Sequence, residues 1–230
     1  MKRRIKKVAV LGSGVMGSRL ACHFANIGLQ VLLLDIVPRE LTTKENENGL
    51  TSDSKEFKNR LVNHFLKETL KSKPSPIFHK KFASRISTGN FNDDLEKISD
   101  CDWVLEAVIE NLEIKKSLFE KVELYRKPGT LITSNTSGIP INKLIEGRSQ
   151  DFKKHFCGTH FFNPPRYLRL LEIIPTNFTS NEVSDFFMQY GDRYLGKTTV
   201  LAKDTPAFIA NRVGVFSILL IFQLMKEFEL

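Results

Sequence analysis

Apolar and polar positions alternate in blocks along the chain, and the blocks predict strands and helices in turn. Residues 5–11 form a short apolar run, read as a strand. A helical pattern follows at once over 15–27, and Gly28 suits the position just past its end. Residues 31–34 are continuously apolar, the mark of a strand buried on both faces. Further strands are expected at 102–106, 130–133, 158–162, 170–174 and 198–202. Helices are expected at 112–125 and 181–194. Pro128-Gly129 and Pro164-Pro165 mark turns between them. Strands alternating with helices predict an α/β fold with a doubly wound, mostly parallel sheet.

Two stretches break this rhythm. Residues 38–82 are polar and lysine-rich, with Phe57, Leu61, Phe65, Leu66 and Leu70 spaced as on one face of a helix. That spacing predicts a helical arm over about residues 53–85, one amphipathic helix of about four turns ended by Pro74 and Pro76. From Pro206 the pattern is helical again, but residues 213–225 are apolar on nearly every face. Four or five large side chains left in water there forgo roughly 10 kcal/mol. This helix is therefore expected to be covered, by a further helical domain or a second subunit. The chain reads as a fragment: residues 1–202 form the sheet-bearing domain, and 203–230 a linker and the first helix of a truncated all-α domain.

Composition narrows the class. With 41% hydrophobic and 26% charged residues over 230 positions, the chain is of ordinary globular type. No apolar run reaches the length of a membrane span. The net charge of +8 gathers at Lys2, Arg3, Arg4, Lys6 and Lys7, and again at Lys67, Lys71, Lys73, Lys80, Lys81 and Arg85. No nucleic-acid signature accompanies it, so most of these residues are read as solvated surface. Cys22, Cys101 and Cys157 are widely spaced and odd in number, which argues against disulfides or a zinc site. With no metal-ligand pattern and no targeting segment, a cytoplasmic protein is expected.

The candidate chemistry lies after the strands. VAVLGSGVMG places Gly12, Gly14 and Gly17 between a strand and a helix, and Asp35 closes the second strand 18 residues after Gly17. Gly12 permits a tight turn, Gly14 lets backbone amides approach a pyrophosphate, and Gly17 lets helix and strand pack closely. Ser13, Val15 and Met16 complete the loop at the helix N-terminus, which favours anions. Asp35 can accept hydrogen bonds from ribose hydroxyls and repels a 2′-phosphate, so NAD is the expected cofactor. Further on, a turn at 164–168 pairs residues whose numbers sum to about 332, which sets His160 opposite Glu172. A carboxylate on an imidazole fixes its tautomer and makes a general base. A purely structural His–Glu hydrogen bond fits the spacing equally.

VLGSGVMG, EAVIENLEIKKSLF, SNTS, GTHFFNP, LLEIIP and KDTPAFIANR, in this order, resemble the L-3-hydroxyacyl-CoA dehydrogenase family. GTHFFNPPRYLRLLEIIP and DIVPRE resemble the NAD-binding module of bacterial multifunctional fatty-acid oxidation proteins, which also carry an enoyl-CoA hydratase module. The resemblance implies NAD-dependent oxidation of 3-hydroxyacyl-CoA in fatty-acid β-oxidation. By this likeness His160 is the base, Glu172 orients it, and Ser137 and Asn211 hold the substrate 3-oxygen. Ala107, Val108, Glu110 and Lys115 line the NAD site, with Asn135 and Asn163 at its nicotinamide end. For Lys115 a solvated helix face fits as well. The lysine-rich arm faces coenzyme A, and a homodimer is expected. Ala207 stands where the family usually has glycine, so the turn there is expected to differ. A non-catalytic NAD-binding protein and a dehydrogenase for a free hydroxy acid remain the alternatives.

Overall fold

A computed structural model of the chain describes residues 3–229; Lys2 of the basic N-terminal group and Leu230 lie outside them. The chain opens with strand β1 (Lys7–Leu11), helix α1 (Val15–Asn26) and strand β2 (Gln30–Asp35). Short helices α2 (Thr43–Glu47) and α3 (Lys55–Lys58) lead into α4 (Arg60–Lys71). Strands β3 (Ile86–Asn90) and β4 (Trp103–Glu106) follow, then α5 (Leu112–Tyr125) and β5 (Leu131–Ser134). Next come α6 (Ile141–Leu144), α7 (Gln150–Lys154) and the strands β6 (Phe156–Phe161) and β7 (Leu170–Pro175). Helix α8 (Asn181–Arg193), strand β8 (Thr198–Leu201) and helix α9 (Ala210–Glu227) close the series.

Among the described residues the strands form one eight-stranded sheet in the order β3-β2-β1-β4-β5-β6-β7-β8. All neighbours are parallel except β6 and β7, which form an antiparallel hairpin. This is the expected α/β, doubly wound, mostly parallel Rossmann-type sheet. Its strand order reverses direction between β1 and β4, which opens a crevice at their carboxyl ends. One apolar layer, built on Phe24, Trp103 and Phe187, covers one face of the sheet; a second, on Phe119, Phe152 and Phe156, covers the other. Burial on both faces explains the continuous apolar runs of β1, β2 and β4. The three cysteines are free and buried, and burial pushes the thiols of Cys22 and Cys101 up to about 12.

The arm departs from expectation. The helix predicted as one unit is broken at Asn59, which ends α3 and begins α4, leaving 12 residues in α4. Asn59 is drawn sideways, because its Oδ1 accepts a hydrogen bond from Asn90 Nδ2 at the end of β3. Strand β3 itself, ISTGN, has one apolar residue and no alternating pattern. It pairs on one side only, with β2, so backbone hydrogen bonding rather than apolar burial holds it.

The turn before α9 is also distinctive. Ala207 and Phe208 both adopt left-handed backbone, at φ 62° and 49°. A glycine accepts that conformation freely, whereas each non-glycine residue there costs about 1–2 kcal/mol. Phe208 offsets part of this by burying its ring. Helix α9 has no buried residue, and Phe216 and Phe222 are 66% and 61% exposed. The covering expected for its apolar faces is thus not supplied by the described residues. None of the described helices is long and apolar enough to cross a membrane.

Candidate active site

The crevice at the β1–β4 reversal is a cleft of about 1190 Å³. Its floor is the glycine loop. Gly12 has φ 99°, and a Cβ there would lie 2.6 Å from the Ala107 carbonyl oxygen. A Cβ on Gly17 would lie 1.8 Å from the Gly12 oxygen, so α1 can approach β1 only with glycine at that position. At Gly14 a Cβ would meet no protein atom within 4 Å, so the space over it faces open cleft. Ser18 N–H donates to the Gly14 carbonyl, and the amides of the turn before it are those that a helix N-terminus leaves without an intrahelical acceptor, which suits an anion.

Asp35 ends β2 beside this loop. Its Oδ2 accepts from the Ser13 amide at 2.7 Å and from the Ser13 hydroxyl; its Oδ1 accepts from the Ile36 amide. A carboxylate has about four acceptor sites, so capacity remains for ribose hydroxyls. Ser13 is fully buried and acts by aiming Asp35. The Val15 side chain is exposed and lies outside the cleft lining, which leaves only its backbone to serve the loop.

The dyad forms as the hairpin register requires. His160 pairs with Glu172 across β6 and β7, and Nδ1 lies 2.6 Å from Glu172 Oε2. Glu172 is wholly buried, and its Oε1 accepts from the amides of Ile209 and Ala210 at 2.9 and 2.8 Å. The carboxylate thus joins the imidazole to the start of α9. The His160 ring lies 4.4 Å from the Phe162 ring and 5.6 Å from that of Phe208, which wall it on two sides. Its own edge lines the cleft.

Of the residues singled out in the sequence, Gly12, Gly14, Met16, Asp35, Ala107 and Val108 line the cleft. So do Glu110, Asn135, Ser137, His160, Asn163 and Asn211. Asn135 Oδ1 accepts from the Phe161 amide, and Asn163 Oδ1 from Arg19 Nη1 at 2.6 Å. Lys115 needs correction. It is 1% exposed, neither on a solvated face nor on the cleft, and its ammonium lies 2.6 Å from Glu106 Oε1 and 3.3 Å from Glu110 Oε2. Glu110 in turn accepts from the Thr136 hydroxyl and the Ser137 and Gly138 amides. Partial burial acts against ionisation of Glu110, but the Thr136 hydrogen bond and the Lys115 charge outweigh it and hold the carboxyl below its usual range.

Sequence reasoning missed two groups here. Leu61 and Phe65 of α4, with Phe91 and Ile36, give the cleft an apolar wall. The helical spacing identified the α4 pair as an apolar face without saying what it meets. Glu106 was also passed over. A carboxylate at the carboxyl end of an apolar, central parallel strand was the available signal. Among the described residues no cluster of three or more His, Cys, Asp or Glu side chains gathers to hold a metal.

Residues 7–205 match the family of the 3-hydroxyacyl-CoA dehydrogenase NAD-binding domain. The chain belongs to that family. A probable 3-hydroxyacyl-CoA dehydrogenase of Bacillus subtilis is 53% identical over 227 residues, 99% of this chain and 29% of that protein. Another from Deinococcus radiodurans is 46% identical over 99% of this chain and 62% of its own length. The chain therefore spans less than two thirds of either relative. Among solved structures, (S)-3-hydroxybutyryl-CoA dehydrogenase from Ralstonia eutropha is similar at TM-score 0.68 and 26% identity, covering 91% of this chain and 68% of that one. The family's cofactor fits the cleft on structural grounds: open space over Gly14, a helix N-terminus for phosphates and a carboxylate at the end of β2.

Proposed function

We propose that this chain is the NAD-binding part of an enzyme that oxidises L-3-hydroxyacyl-CoA to 3-oxoacyl-CoA in fatty-acid β-oxidation. The observation carrying this reading is the buried His160–Glu172 pair, closed at 2.6 Å, with the imidazole on the same cleft as the glycine loop.

The glycine loop and the α1 N-terminus hold the cofactor's phosphates, and Asp35 its ribose. NAD, when bound, supplies the hydride acceptor. Nδ1 of His160 donates to Glu172, so the neutral ring presents Nε2 as the proton acceptor for the substrate 3-hydroxyl. As that proton arrives the ring becomes an imidazolium, and the buried Glu172 charge stabilises it. Ser137, in the loop after β5, and Asn211, on α9, both line the cleft and hold the 3-oxygen by hydrogen bonds. Such donors contribute most where charge develops on that oxygen. Arg19 fixes the carboxamide of Asn163, which with Asn135 borders the nicotinamide end. The apolar wall of Leu61, Phe65 and Phe91 accepts flat or aliphatic parts of cofactor and substrate.

The test is reduction of acetoacetyl-CoA with NADH by the full-length protein that carries this chain, the parent, and by its His160→Gln variant. Turnover by the parent and a loss of at least a hundredfold in the variant are expected. NADH binding without any turnover in the parent refutes the reading and favours a non-catalytic NAD-binding protein. Equal turnover of a free 3-hydroxy acid and its thioester refutes the coenzyme A assignment.

A further inference from the structure

Glu106 lies at the end of β4, where its neighbours are Leu11 of β1 and Ser134 of β5. It therefore stands directly under the crevice, yet it is fully buried and lines none of it. Both carboxylate oxygens are engaged. Oε1 accepts from the Lys115 ammonium at 2.6 Å and the Val108 amide at 2.7 Å, and Oε2 accepts from the Ser134 hydroxyl. Its backbone carbonyl accepts from the Asn135 amide at 2.8 Å. One residue thus ties down the first turn after β4 and the first turn after β5.

Lys115 extends the connection. An ammonium has three donors, and three acceptors surround this one: Glu106 Oε1, Glu110 Oε2 at 3.3 Å and the Val108 carbonyl at 3.3 Å. Lys115 works as a strut between a buried carboxylate and one at the cleft edge. Glu110 then gathers the Thr136 hydroxyl and the amides of Ser137 and Gly138, at 2.9 and 3.1 Å for the two amides, on its other oxygen. The order of contacts runs Glu106, Lys115, Glu110, loop 136–138.

We propose that Glu106 is a positioning residue for the dehydrogenase site: through Lys115 and Glu110 it fixes the loop that presents Ser137 to the substrate oxygen. The inference rests on the assignment of Ser137 made above. Burial disfavours an ionised Glu106, and the Lys115 ammonium compensates it, so the two charges depend on each other. Apart from Glu110, the loop 136–138 is held by the Thr136 amide on the Ser134 hydroxyl, itself a partner of Glu106, and by the Gly138 and Ile139 amides on the Thr136 hydroxyl.

The test compares Lys115→Met, Glu106→Gln and the double variant Glu106→Gln/Lys115→Met by melting temperature and by hydrogen exchange at the Ser137 and Gly138 amides. Lys115→Met leaves two uncompensated carboxylates and melts well below the parent. The double variant removes the buried carboxylate charge as well and recovers most of that melting temperature. Exchange at Ser137 and Gly138 nevertheless stays about tenfold faster than in the parent, the loss of roughly one charge-assisted hydrogen bond. The KM for acetoacetyl-CoA rises with it, because the loosened loop carries Ser137.

A double variant that recovers its melting temperature and exchanges both amides at the parent rate overturns the proposal, since the network is then merely structural. If the double variant does not fold, Glu106→Gln alone is read by the same exchange measurement with the same two outcomes. A parent that binds NADH but reduces no acetoacetyl-CoA refutes the dehydrogenase reading instead, and leaves the exchange comparison to judge Glu106 separately.

Discussion

Replacing Glu172 with Gln isolates the charge of the dyad while keeping its shape. The two backbone amides of Ile209 and Ala210 hold one oxygen of the residue, at 2.9 and 2.8 Å. In the variant they retain the carboxamide oxygen, so the amide nitrogen is turned towards His160 Nδ1. That nitrogen can only donate, so Nδ1 must accept and the ring proton moves to Nε2. The nitrogen facing the cleft then has no lone pair with which to take a proton. The imidazolium formed in turnover also loses its counter-charge. Two unit charges about 4 Å apart at an effective dielectric near 20 interact by about 4 kcal/mol, or about a thousandfold in rate. Glu172 has no surface on the cleft, so NADH affinity and KM should change little. The assay is steady-state reduction of acetoacetyl-CoA, with NADH affinity by fluorescence titration and melting temperature as controls. A variant that folds and binds NADH normally yet keeps kcat within about tenfold of the parent refutes the argument that Glu172 sets the tautomer and stabilises the cation.

Gly17→Ala puts a methyl group 1.8 Å from a backbone oxygen that cannot move without displacing the glycine loop; a destabilisation of several kcal/mol, about 3 or more, and loss of NADH binding are expected by thermal melting and titration. Asp35→Ser removes the charge that repels a 2′-phosphate, so the preference for NADH over NADPH should fall at least about tenfold in paired affinity measurements. Lys197 is buried against the carbonyls of Pro165 and Leu168, and burial lowers its pKa from 10.5 to about 8. Between these two values the unfolded chain holds a proton that the folded chain has released, so this residue's contribution to stability rises with pH across that window and its cost is full below pH 8. Melting temperatures of the parent and Lys197→Met, measured over pH 7.5 to 10 (about the range of interest), should therefore converge or cross as pH rises; a constant difference refutes the assignment.

Much of the site was legible before any coordinates, because the residues involved lie close together along the chain. The glycine loop and Asp35 belong to one β1–α1–β2 unit, whose geometry follows from local pattern. The His160–Glu172 pair follows from counting across one hairpin, and the observed register has the same sum. Helix α5 likewise spans the residues its periodicity marked. The arm was misread, and β3 missed, for the opposite reason. β3 is held by pairing with β2, about fifty residues earlier in the chain, and the break at Asn59 comes from a hydrogen bond 31 residues away.

Sequence by itself determined most of the alternation of strands and helices, the glycine loop and the pairing of His160 with Glu172, since each depends on spacing within a short segment. Only the tertiary structure decided that Lys115 turns inward, that Glu106 supports the crevice, and that Leu61 and Phe65 wall it. Each of these depends on which side of an element meets a distant neighbour. A periodic pattern identifies a buried face, but the partner of that face is chosen by packing across the whole sheet.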